Sequence, residues 1–152
     1  MKATKKSVEV LQRVYECLAP CGGEMRLVDC EIFTPLDFEI GSTEENPTEA
    51  VIGFCEFING DIVYDPLFEL LLSISNGMIE DVEVKKYVST ITLHSIEVDE
   101  AGSVYRDGCA TGEKMSLKKL FSDFIKQVEI RYFKSDIPFE VKKYDTAMDE
   151  SC

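Results

Sequence analysis

Three carboxylates, Glu56, Asp61 and Asp65, surround an Asn59-Gly60 pair in the run Phe54-Cys55-Glu56-Phe57-Ile58-Asn59-Gly60-Asp61-Ile62-Val63-Tyr64-Asp65-Pro66. Asn-Gly is the strongest short signal for a two-residue type I′ turn, because both central residues need positive φ. With those two residues in the turn, Ile58 faces Asp61, Glu56 faces Val63 and Phe54 faces Asp65. The three carboxylates then share one sheet face, the aspartates diagonal to the glutamate and within side-chain reach. Clustered carboxylate oxygens suit a hard cation such as Mg²⁺ or Ca²⁺, and the Asn59 carbonyl adds an oxygen. Glu56 also stands in an otherwise apolar row, the setting that raises a carboxyl pKa for acid–base work. Against this, E-x2-N-x-D-x3-D is not an EF-hand loop, and acids are common beside turns. No metal, cofactor or catalytic residue is therefore expected. A metal-dependent enzyme or small-ligand-binding domain using Glu56, Asp61 and Asp65 is the second reading.

The remaining reactive side chains form no signature. Cys17 and Cys21 make a C-x3-C pair, but His94 is the only histidine and no second close Cys pair completes a zinc site. Neither a glycine-rich phosphate loop nor a G-x-S-x-G elbow is present. The N-terminus is basic but soon interrupted by Glu9, Gln12, Arg13 and Glu16, unlike a signal peptide. The six cysteines are accordingly expected as reduced thiols in a cytoplasm. No apolar run reaches the roughly 20 residues that a membrane span needs.

Charge is the more specific feature. The chain of 152 residues carries 29 acids against 16 Lys and Arg, a net −13, and is 45% hydrophobic. That apolar fraction is too high for an acidic disordered chain. The charge argues against direct nucleic-acid binding, which needs a basic face. The acids concentrate between Leu27 and Val84, 58 residues with 14 Asp or Glu and no Lys, Arg or His. Residues 101–152 are neutral, with nine of each sign. Such a surface either aids solubility or is shaped for a basic partner. Because these acids fall in strand-like segments, folding fixes them in place, where they can imitate a row of phosphates. The expected partner-binding face comprises Asp37, Glu39, Glu44, Glu45, Glu49, Glu56, Asp61 and Asp65.

The elements that must position these residues are legible as patterns. Val8, Leu11, Val14, Tyr15 and Leu18 make one stripe of a helix over 7–18, with Ser7 as N-cap and Pro20-Cys21-Gly22-Gly23 as its stop. Strands are expected at 25–32, 36–40, 50–58 and 61–73, and one broken strand or two at 82–98 with a bulge near His94. Pro66 removes a ladder donor and marks an edge or a bulge. Residues 106–112 read as a polar loop. Ser116 caps a second helix with Leu117, Leu120, Phe121, Phe124, Ile125 and Val128 as its apolar stripe. Arg131 would fall inside that stripe, so this helix should end near 129 and an extended segment begin. The expected fold is α+β: an antiparallel meander sheet of about five strands with an N-terminal and a C-terminal helix. Residues 1–143 form one domain, followed by a flexible polar tail at 144–152.

The residues Glu56, Asn59, Gly60, Asp61, Asp65 and Pro66 form an E-x-x-N-G-D-x-x-x-D-P motif. In this the chain resembles an uncharacterised domain family of bacterial plasmids, phages and conjugative elements. Gly22-Gly23 and the stretch Pro35 to Glu39 add to the likeness, which covers about residues 20–72, although Leu67 stands where the family carries an acid. The resemblance implies a mobile-element setting in a bacterial host cell and supplies no activity. The expected function is non-enzymatic: binding of a basic protein surface, such as a host nuclease or other nucleic-acid-binding enzyme, in the manner of anti-CRISPR or anti-restriction inhibitors. Divalent cations separate the two readings. Millimolar Mg²⁺, Mn²⁺ or Ca²⁺ should leave the melting temperature unchanged, with Asp61→Asn/Asp65→Asn neutral or slightly stabilised. A stoichiometric site in calorimetry that vanishes in that double variant would instead establish the metal centre.

Overall fold

The computed structural model describes all residues except 31–33, 43, 59, 60, 92, 93 and 145–152, and not the side chains of 56–58, 61, 62, 64 and 91. The first helix, α1, runs Lys5–Leu18 and buries Val10, Leu11, Val14, Tyr15 and Leu18. Its cap is Thr4 rather than Ser7: Thr4 Oγ1 accepts the Ser7 backbone N–H at 3.1 Å, which places Ser7 inside the first turn. Gly22 and Gly23 are not the helix stop. They open strand β1, Gly22–Leu27. Gly22 has φ +91, and a Cβ there would lie 1.8 Å from the Phe38 carbonyl oxygen, so only glycine fits.

Eight further strands follow: β2 Leu36–Ile40, β3 Thr48–Ile58, β4 Asp61–Ser75, β5 Met78–Ile91, β6 His94–Asp99, β7 Ser103–Arg106, β8 Cys109–Lys114 and β9 Phe139–Lys143. The second helix, α2, Leu117–Tyr132, connects β8 to β9. The class is α+β as expected, but among the described residues the sheet has nine antiparallel strands, in the order β8-β7-β6-β5-β4-β3-β2-β1-β9, not about five. The segment expected as one broken strand or two is two strands, β5 and β6, while the expected polar loop at 106–112 is largely the β7–β8 hairpin. Strands β8 and β9 escape the sequence patterns because they are sheet edges. Most of their residues are exposed, so they carry no apolar alternation.

Between β3 and β4 the pairs Ile58↔Asp61, Glu56↔Val63 and Cys55↔Tyr64 match a two-residue turn, whose residues Asn59 and Gly60 lie outside the described residues. The register then shifts, with Gly53 opposite Leu67. Asp65 and Pro66 together oppose Phe54, so Pro66 marks a bulge in an interior strand and not an edge.

Both helices lie on one face of the sheet. Phe68 of β4 packs against Phe121 and Phe124 of α2 with ring centroids 5.1 Å apart in each case, and Phe54 of β3 meets Phe124 at 5.0 Å. Helix α2 continues to Tyr132, past the expected end, because Arg131 lies flat over the Phe54 ring at 4.3 Å and needs no aqueous exit. The Tyr132 hydroxyl donates to the Met25 carbonyl of β1 at 2.9 Å. Gln12 ties α1 to the β4–β5 turn, its Oε1 accepting the Ile79 N–H at 2.7 Å. Cys17, Cys30, Cys55 and Cys109 are free thiols, while Cys21 is disulfide-bonded, against the expectation that all six are reduced. Cysteine spacing along a chain does not reveal which residues the fold brings within bonding distance.

Candidate functional site

Among the described residues no helix lies over the opposite face of the sheet, and strand alternation decides what it carries. In β2, Leu36, Phe38 and Ile40 are buried towards the helices, so Asp37 and Glu39 point the other way. In β3, Thr48, Ala50, Ile52 and Phe54 are buried in the same sense, which leaves Glu49, Val51 and Cys55 on the open face. Glu39 pairs with Val51, and Asp37 with Gly53, so Glu49 lies one side-chain row further along. The β2–β3 connection at that end carries exposed Glu44 and Glu45, held by the Glu44 N–H to Ser42 Oγ and the Glu45 N–H to the Ser42 carbonyl. Five of the expected face residues, Asp37, Glu39, Glu44, Glu45 and Glu49, thus gather at one corner. Among the described residues, none of the five has a basic side chain within ion-pair distance. Glu24 and Glu69 join the open face with partial compensation: Glu24 meets Arg26 at 2.8 Å, and Lys86 is shared between Glu69 at 3.9 Å and Glu97 at 3.4 Å.

Asp37 is the half-buried centre of this corner. Burial raises its pKa to about 6, the nearby Glu39 and Glu24 charges push the same way, and a hydrogen bond donated by the Tyr144 hydroxyl opposes them. Tyr144 is raised in turn by burial and by that carboxylate. The Tyr144 backbone N–H also donates to the Gly22 carbonyl at 2.9 Å, so the first residue of the expected tail is seated beside β1. The rest of that tail lies outside the described residues. The Cys55 thiol is raised by burial and then by Asp37, Glu24 and Glu39, which keeps it protonated and a poor nucleophile.

The hairpin carboxylates are elsewhere. Glu56 lies seven residues along β3 from Glu49, about 23 Å at the usual rise per residue. The side chains of Glu56 and Asp61 are outside the described residues. Asp65 is exposed and accepts a 3.0 Å hydrogen bond from the Ser89 hydroxyl, on the side of the sheet that carries the helices. Among the described residues, no group of three or more His, Cys, Asp or Glu side chains is arranged to hold a metal ion. Nor is any described helix long and apolar enough to cross a membrane.

A second polar feature was not expected. His94 Nδ1 meets Asp107 Oδ2 at 3.0 Å, and Asp107 Oδ1 accepts the Ser95 N–H at 2.9 Å. These residues, with Ser89, Ile96 and Arg106, line an open cavity of about 190 Å³. The Ser89 hydroxyl donates to Asp65, and Arg106 Nε donates to Glu113 at 3.1 Å, so both groups are engaged by residues outside the cavity lining. Compared with known proteins, the chain matches no family model, no curated protein and no solved structure.

Asp37 makes the corner's electrostatics measurable. Its folded pKa lies above the unfolded value, so the native state is favoured when Asp37 is protonated and loses that advantage as pH rises from about 4 through about 6. Asp37→Asn keeps an oxygen for Tyr144 and removes the charge. It should raise unfolding free energy at pH 7.5 by on the order of 1–2 kcal/mol, discounted for the half-exposed site, and this gain should fade towards pH 4. Urea denaturation at the two pH values checks this; a variant less stable at pH 7.5 contradicts the assignment.

Proposed function

We propose that this protein is a binding module without catalytic chemistry, whose acidic open sheet face holds a basic protein partner. The observation that carries this reading is the corner of Asp37, Glu39, Glu44, Glu45 and Glu49, fixed on adjacent strands and their connection with no basic side chain within ion-pair distance among the described residues. Like charges held together cost stability through repulsion, and a basic partner surface relieves that cost. Rigid strands also hold the charges ready, so little conformational entropy is lost on binding. The E-x-x-N-G-D-x-x-x-D-P resemblance adds a mobile-element setting. There the fitting partner is a host nuclease or other nucleic-acid-binding enzyme whose basic cleft the face occupies as a nucleic-acid mimic, as anti-CRISPR and anti-restriction inhibitors do. That step rests on analogy, since folds do not dictate function.

Affinity capture from bacterial host lysate tests the reading, with wild type beside the variant Glu39→Lys/Glu44→Lys/Glu45→Lys/Glu49→Lys. Asp37 is left intact because it is partly buried. A partner retained at roughly 50 mM salt should be lost at roughly 500 mM, about a threefold change in screening length. The variant should fail to retain it at either salt while melting close to wild type. Equal retention at both salt concentrations, or by the variant, counts against an acidic docking face.

A further inference from the structure

The open face is not uniformly acidic. Four half-buried aliphatic side chains interrupt it: Val51, Leu67, Leu71 and Val88. Strand register fixes where they stand. Val51 lies between Glu39 of β2 and Glu69 of β4, and Leu71 between Glu49 of β3 and Glu83 of β5. Leu67 and Val88 pair directly, with Gly53 and then Asp37 beyond Leu67, and Glu97 beyond Val88. The aliphatic patch therefore spans β3 to β5. It is walled on the β2 side by acids with no basic side chain within ion-pair distance among the described residues, and on the β6 side by Glu83, which meets Lys85, and Glu97, which meets Lys86.

A partner that met this face through charge alone would leave four aliphatic side chains against its solvated bases. The complementary surface instead carries apolar groups along its middle and bases along one flank. A helix is about 10–12 Å across with its side chains, close to two strand spacings, and can cover the patch while its basic flank reaches β2. We infer that the occupant of the open face is a basic amphipathic helix of the partner protein, its apolar stripe seated on Val51, Leu67, Leu71 and Val88 and its Lys or Arg side chains facing Asp37, Glu39 and Glu49. This deepens the preceding proposal and rests on it. The two components contribute differently: the acids set attraction and its salt dependence, and the aliphatic patch sets a part of the affinity that salt does not remove.

Two synthetic peptides of equal length and equal Lys content test the inference on the full chain. One is a Lys–Leu sequence with helical amphipathic spacing; the other has every Leu replaced by Gln. At about 150 mM salt the Lys–Leu peptide should bind about tenfold more tightly, a difference of about 1.4 kcal/mol. Val51→Thr/Leu71→Gln should bring it down to the Gln peptide's affinity and leave the Gln peptide unchanged. Glu39→Lys/Glu49→Lys should weaken both peptides. Glu9→Lys/Asp136→Lys, the same charge change at exposed positions away from the face, should weaken neither. If the two peptides bind alike, or Val51→Thr/Leu71→Gln changes nothing while Glu39→Lys/Glu49→Lys weakens both, the amphipathic helix is overturned and the basic-partner reading stands. If Glu39→Lys/Glu49→Lys leaves both peptides bound as before, both proposals fall.

Discussion

Two helices cannot cover both faces of a nine-stranded sheet, and this mismatch governs the molecule. Helix α2 leaves the β8 edge and returns the chain to the β9 edge, crossing above the sheet on the way. Phe121 and Phe124 seat it on Phe68 and Phe54, and Tyr132 anchors its far end to the Met25 carbonyl of β1. Helix α1 fills the same side and is joined to α2 through Lys6, whose ammonium meets the nearly buried Glu129 at 3.0 Å. All this packing falls on one face. Among the described residues no helix covers the other face, where Tyr144 meets Asp37, and period-two alternation along each strand decides which residues it presents.

What was legible in the sequence is what burial leaves as a trace. Strand β2 shows it plainly, with Leu36, Phe38 and Ile40 inward and Asp37 and Glu39 outward, and both helices were visible through their apolar stripes. Strands β8 and β9 bury little and leave no such trace, which is why these two strands went unseen. One local sign of the β7–β8 hairpin was available. Asp107 and Gly108 have φ of 51 and 82, nearly the values of Asn76 and Gly77 at the β4–β5 turn. The end of α2 was misjudged for a different reason: a charged residue inside an apolar stripe signals a helix end only when no aromatic ring waits to receive it, and Phe54 does.

The site was legible in part. The absence of bases between Leu27 and Val84 pointed to Asp37, Glu39, Glu44, Glu45 and Glu49, and the fold gathers these five at one corner. Glu56 lies seven residues along β3 from Glu49 but three from Gly53, the partner of Asp37, so strand register, which no composition reveals, sets how the hairpin acids stand to these five. The parts played by Tyr144 and Glu24 depend on β9 returning to pair with β1, a contact between residues more than a hundred positions apart. Long-range strand pairing of this kind is fixed by the closing helix rather than by local preference.

The central claim is that the β2–β5 surface is open to solvent and negative in potential, and paired paramagnetic probes measure both properties at once. Two nitroxides of equal size, one cationic and one anionic, are added to the protein, and relaxation enhancement is read at each methyl and amide. The account predicts that the cationic probe acts more strongly than the anionic one on the Val51 and Leu71 methyls and the Glu39 and Glu49 amides, while the Leu11 and Leu117 methyls, fully buried beneath the helices, respond to neither. Protection of Val51 and Leu71 equal to that of Leu11, or equal effects of the two probes at Glu39 and Glu49, would contradict it.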